Sequence, residues 1–177
     1  IYYLWMPHVH VDFHEQGMNS PYYFAPAAKP CHKIITDFQK EFQTQIGKNN
    51  AKAFDEKRWA YFTRERFDLF YPSYGDTYPT YNGAIGMTYE QAGSGQAGLG
   101  VNTDEGYELT LKDRIKHHVQ SGLSTIETSS QNAKKLNSEF KTYFKNTVDF
   151  DYYVLVGEQS KLNTLTKLFD HHEYEYQ

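Results

Sequence analysis

His8-Val9-His10-Val11-Asp12-Phe13-His14-Glu15-Gln16-Gly17 is the stretch from which the fold is read. Apolar and polar residues alternate through it. Val9, Val11 and Phe13 therefore share one face of a strand, and His8, His10, Asp12 and His14 the other. The strand ends in ionisable residues. Beyond it, Pro21, Pro26 and Pro30 mark a loop. Ile35, Phe38, Phe42, Ile46 and Phe54 then recur near a 3.6-residue period, which predicts a helix over residues 34–57 with Gly47 as its weak point. Residues 59–63, Trp-Ala-Tyr-Phe-Thr, read as a second strand.

Residues 64–83 are irregular and rich in tyrosine, and connections of that length are often functional. Ala84-Ile85-Gly86-Met87-Thr88-Tyr89-Glu90 reads as a buried strand that turns polar only at its end. Five glycines over residues 93–106 predict a mobile loop. A long helical pattern runs from Leu109 to about Thr147, with Thr110 and Asp113 as a capping pair. Near Asp149 the character changes. Residues 152–156 predict a strand, a short helix opens at Ser160, and residues 173–176 could start another strand. Alternating strands and helices imply an α/β fold with a mixed sheet sandwiched by helices. Residues 1–147 form that domain, and residues 148–177 read as the βα start of a second, small α/β domain.

Composition narrows the function. The chain has 177 residues and a net charge of −4, which disfavours binding to nucleic-acid phosphates. No apolar run approaches the ~20 residues of a membrane-spanning helix. The single cysteine, Cys31, excludes an internal disulfide and multi-cysteine metal sites. Sixteen Tyr, twelve Phe and two Trp exclude disorder, and suit either an aromatic core or a carbohydrate platform.

His8 and His10 lie ~6.6 Å apart on one strand face and could share a metal, whereas His10 and His14 are ~13 Å apart and could not. Two ligands do not complete a site. The neighbours His117 and His118 cannot both face one site on a helix, so one should pack and the other be exposed. His172-x-x-Glu175 matches a zinc-ligand spacing, but in a highly charged tail where such spacings arise by chance. Glu90 ends an apolar strand, where burial would raise its pKa toward that of a general base. The competing role is a structural carboxylate paired to Arg64, Arg66 or Arg114.

Val11-Asp12-Phe13-His14-Glu15-Gln16-Gly17 followed by Ser20-Pro21-Tyr22-Tyr23-Phe24-Ala25-Pro26 resembles the third-ligand strand of zinc carboxypeptidases, the carboxypeptidase A-like metallopeptidases. Residues 71–76, Tyr-Pro-Ser-Tyr-Gly-Asp, and 82–90, Asn-Gly-Ala-Ile-Gly-Met-Thr-Tyr-Glu, resemble that family's tyrosine loop and catalytic-glutamate strand. The resemblance covers about residues 5–145. It implies an α/β sandwich around a mixed eight-stranded sheet, of which this chain would form the C-terminal half. It implies Zn2+ as cofactor, His14 as a zinc ligand and Glu90 as general base. It implies Tyr71 as the substrate-closing tyrosine, with Tyr74 as the rival assignment. The family's H-x-x-E ligand pair lies upstream of its lone histidine. The implied partner is therefore an upstream part of the same polypeptide, without which this chain is incomplete and inactive. The implied activity is hydrolysis of a peptide bond at a C-terminal residue, by a periplasmic or secreted enzyme. The alternatives are a non-catalytic module that kept the fold, and a glycoside hydrolase using Glu15 and Glu90. The latter is weakened because alternation turns Glu15 away from the face of His14.

Overall fold

A computed structural model of the chain describes residues 2–145 and 152–177. Its contacts divide into two compact units, Ile1–Lys145 and Asn146–Gln177. The first is a mixed α/β fold. After a short helix α1 (Tyr2–Trp5), the predicted first strand forms as β1 (Val9–Gln16). Short strands β2 (Tyr22–Tyr23) and β3 (Ala28–Cys31) lead to helix α2 (Asp37–Lys57), with Thr36 as its N-cap. Thr36 Oγ1 accepts from Gln39 N–H while the Gln39 side chain reaches back to Thr36 N–H, so two orphan donors are satisfied at once. Gly47 is kept in α2 for contact: a Cβ there would overlap the Ala25 carbonyl.

Strands β4 (Tyr61–Phe62) and β5 (Asp68–Leu69) follow. The segment predicted to be irregular contains a short helix, α3 (Thr77–Tyr81), which leads into β6 (Ile85–Ala92). The glycine-rich segment holds a two-strand ribbon of β7 (Val101–Asn102) and β8 (Glu108–Leu109). Thr110 caps α4 (Leu111–Gln131) by accepting from Asp113 N–H, as its spacing predicts. The single long helical pattern resolves into α4 and α5 (Ala133–Tyr143). At the break, Asn132 turns its side chain back onto Thr128 O, competing with helix continuation.

The main sheet has the order β1-β6-β2-β4. β1 and β6 are parallel in unbroken register from Val9↔Ile85 to Gln16↔Ala92, while β2 runs antiparallel to β6. One face meets α2 and α4 over a core of Tyr22, Phe24, Phe42, Ile46, Phe54 and Tyr89. Buried glutamines on α2 satisfy strand-end backbone: Gln39 Nε2 donates to Thr80 O and Ala84 O, and Gln43 Nε2 to Gly86 O. α3 and the loop before it cover the other face, where Gly86 N–H donates to Thr80 Oγ1.

The second unit holds helix α6 (Gln159–His171). Residues 152–156 are exposed and form no strand, contrary to the sequence expectation, and residues 173–176 form none either. Neither segment has a ladder partner among the described residues, and an isolated strand does not hold itself together. The expected domain boundary at 147/148 lies outside the described residues. No helix among them is long and apolar enough to cross a membrane.

Candidate active site

The site follows from one register. Because β1 and β6 run parallel with His14 opposite Glu90, both side chains leave the sheet on the same face at its carboxyl end. Asp12 lies two residues before His14 on that face, and its Oδ2 is 3.0 Å from His14 Nε2. One imidazole nitrogen is thus held by a carboxylate. His14 remains half-exposed, with 54 % of its side chain accessible.

Glu90 is 7 % exposed, and its Oε2 is buried without a hydrogen-bond partner among the described residues. Desolvation is the main cause that pushes its pKa up. His14 opposes that shift, and the Asp12 and Asp76 carboxylates reinforce it. None of the three candidate arginines pairs with it. Arg64 donates to Thr44, Arg66 to Ser20, and Arg114 lies 3.5 Å from Glu15. Glu15 sits opposite Gln91 in register, on the face away from Glu90. The two glutamates therefore do not flank a common cleft, as a glycosidase would need.

Asp76 completes the acidic surroundings. It is 5 % exposed, and burial raises its pKa although Thr88 and Thr77 hydrogen-bond its carboxylate. The tyrosine loop runs over the same face: a Cβ on Gly75 would overlap Asp12 Oδ2, so only glycine allows that approach. Tyr71 and Tyr74 are both exposed, with ring centroids 5.6 Å apart. Neither is in the core, and Tyr74 directly adjoins the Gly75–Asp12 contact.

The other histidines have separate roles. His8 packs on Phe140 at 4.2 Å and His10 edges toward Tyr2 at 6.1 Å. His117 and His118 are both partly buried, correcting the expectation that one is exposed. The pair straddles the sheet-facing side of α4: His117 Nδ1 meets Gln91 Oε1 at 2.7 Å and His118 Nδ1 meets Tyr22 Oη at 2.8 Å. Desolvation lowers both pKa values, that of His117 to about 4. His172 and Glu175 belong to the second unit. No group of three or more His, Cys, Asp or Glu able to hold a metal occurs among the described residues.

Asp12 and Asp76 were not singled out from sequence. Asp12 carried a signal, since its i, i+2 spacing to His14 places both on one strand face. Asp76 carried none, because a loop brings it there. The arrangement offers an imidazole oriented by a carboxylate beside a desolvated carboxylate that none of the candidate arginines pairs with. No protein-family model, curated protein or solved structure matches the chain.

Proposed function

We propose that the chain contributes a zinc ligand, His14, and a general base, Glu90, to a zinc carboxypeptidase-like hydrolase that cleaves a peptide bond at a C-terminal residue. The observation that carries this reading is the β1–β6 register, which sets His14 directly beside Glu90. Two features fit a zinc site. Asp12 engages one nitrogen of His14 and favours the tautomer that leaves the other for a metal. The buried Glu90 Oε2 has no hydrogen-bond donor among the described residues, as suits a group awaiting a proton. When bound, zinc supplies Lewis acidity toward the attacking water and the scissile carbonyl.

The residues of this chain then divide the work. Glu90, ionised but poorly solvated, takes the proton of the attacking water and passes it to the leaving amine nitrogen. Asp12 keeps the His14 ring oriented. Tyr71 or Tyr74, on an exposed loop anchored over Asp12, closes on the substrate and excludes water. The remaining zinc ligands, an H-x-x-E pair, come from an upstream part of the same polypeptide. The periplasm or the exterior is the proposed location, as for the enzymes the chain resembles.

The test is Glu90→Gln in the zinc-loaded complete polypeptide, assayed on a blocked dipeptide. Zinc content should be kept while turnover falls by about 10²- to 10⁴-fold, the usual cost of losing general acid–base catalysis. Near-normal turnover rejects the assignment.

A further inference from the structure

A cavity of about 490 Å³ lies among the loop after β1, the residues just before β4, the β7–β8 ribbon and the first turns of α4. All of them belong to the first unit. The volume is that of a small-molecule site. Asp104 N–H donates to Asn19 Oδ1 at 3.1 Å, which ties the ribbon to the loop after β1. Gln91 of β6 lines the cavity and points away from Glu90, because neighbouring residues of a strand face opposite ways. The cavity therefore lies on the sheet face opposite His14 and Glu90.

Its floor has hydrogen-bonding capacity left over. Gln91 is 2 % exposed, and its Oε1 meets His117 Nδ1 at 2.7 Å. Gln91 Nε2 and His117 Nε2 have no partner among the described residues. Asn50 Oδ1 and Ser124 Oγ are sealed in the core without a partner, whereas these two nitrogens are not sealed and their residues line the cavity. Desolvation keeps His117 neutral, with its pKa lowered to about 4. A neutral imidazole bonded to an amide leaves one donor and one acceptor over. These are the Gln91 N–H₂ and a His117 lone pair or, with the amide turned round, the Gln91 oxygen and a His117 N–H. A hydroxyl group answers both at once, since it donates and accepts.

The walls are aromatic and the rim carries both signs of charge. The Trp59 ring lies 4.4 Å from that of His117, and Tyr107 lines the ribbon side. Asp104, Glu105 and Glu108 line that side too, and none of them forms an ion pair among the described residues. On the Trp59 side, Arg58 lines the cavity and Lys57 Nζ lies over the indole at 5.6 Å. A cationic occupant meets like charge beside Trp59, and an anionic one meets it at the ribbon. A neutral occupant rich in hydroxyls meets neither. Its hydroxyls donate to the carboxylates, and its C–H groups rest on the negative faces of the aromatic rings.

We infer that this cavity binds a neutral sugar, a pyranose whose adjacent hydroxyls bond the Gln91–His117 pair and whose ring packs against the wall of Trp59 and Tyr107.

The test is proton–nitrogen NMR of the 177-residue chain carrying Trp5→Phe, which leaves Trp59 as its one indole. Trp5 is 80 % exposed, so its replacement is mild. The probes are cellobiose, maltose, lactose and mannobiose, with tetramethylammonium, arginine and citrate as charged competitors. At least one disaccharide should shift the Trp59 indole and Gln91 side-chain signals saturably, with a Kd of about 1 mM or tighter. Tyr107→Ala should weaken that binding by about 3- to 10-fold at an unchanged melting temperature. Gln91→Leu should weaken it by about 10-fold. Tyr107 is 51 % exposed, so its variant still reads out if Gln91→Leu fails to fold. Absence of any shift with all four disaccharides at ten times that concentration overturns the inference. Saturation by a charged competitor and by no sugar overturns it in favour of a charged ligand. A sugar whose affinity survives both substitutions binds elsewhere, which also overturns it. No arm uses zinc or turnover, so failure of the sugar site and failure of the metallopeptidase reading are separate results.

Discussion

Glu90→Gln should stabilise residues 1–177 at pH 8. Glu90 is 7 % exposed, one of its oxygens is buried without a partner among the described residues, and its pKa is raised chiefly by desolvation. A carboxyl whose folded pKa exceeds its unfolded value binds protons more tightly in the native state. Stability then falls as pH rises through the folded pKa. Above that pH the native protein carries a poorly compensated charge beside Asp12 and Asp76. A buried, unsatisfied polar group costs about 1–3 kcal/mol. Gln removes the charge, keeps the shape, and gains an N–H₂ group that Asp12 or Asp76 can accept from. The expected gain is therefore about 1 kcal/mol at pH 8, shrinking toward zero at pH 4 where wild-type Glu90 is itself becoming protonated. Urea denaturation of both forms at the two pH values, in a chelator, measures it. A shift of that size moves the melting temperature by roughly 2–4 °C in a chain this long. A structural carboxylate predicts the opposite sign. If Glu90→Gln loses 1 kcal/mol or more at pH 8, the picture of a strained, poised base is wrong.

Residues 1–177 alone should not hold zinc tightly, because one imidazole cannot supply the three-ligand shell of catalytic zinc; sub-micromolar, stoichiometric binding through His14 in calorimetry would contradict this. Tyr71→Phe in the complete enzyme should weaken binding or slow turnover modestly; if only Tyr74→Phe does so, Tyr74 is the closing residue. His117 has its folded pKa lowered to about 4, so it contributes stability that is present above its unfolded pKa of 6.5 and lost as pH falls toward 4. His117→Gln should flatten the stability profile across that window, and an unchanged acid limb in pH-resolved denaturation would refute the assignment.

Strict alternation at residues 8–14 and the apolar run at 84–89 were enough to predict two strands, each ending in an ionisable group. Each strand's faces are decided locally, by a two-residue period. Helix α2 was legible for the same reason, since its period lies within one stretch of chain, although it starts at Asp37 behind a Thr36 cap rather than at residue 34. The role of Glu90 was not decided locally. Arginines at 64, 66 and 114 were equally available to it on paper, and only packing directed them to Thr44, Ser20 and Glu15. The helix pattern of residues 109–147 was readable, but which side of it faces the sheet was not. Hydrophobicity alone would have buried Ile115 and Val119, whereas the tyrosine hydroxyls of the core selected Ser121 and Thr125. Asp76 reaches Glu90 through a loop whose course has no period to read. Local sequence determined which segments are strands and helices, because those choices depend on neighbours within a few residues. The pairing of β1 with β6 is long-range, and so only the tertiary structure decided that Glu90 meets His14 and Asp12.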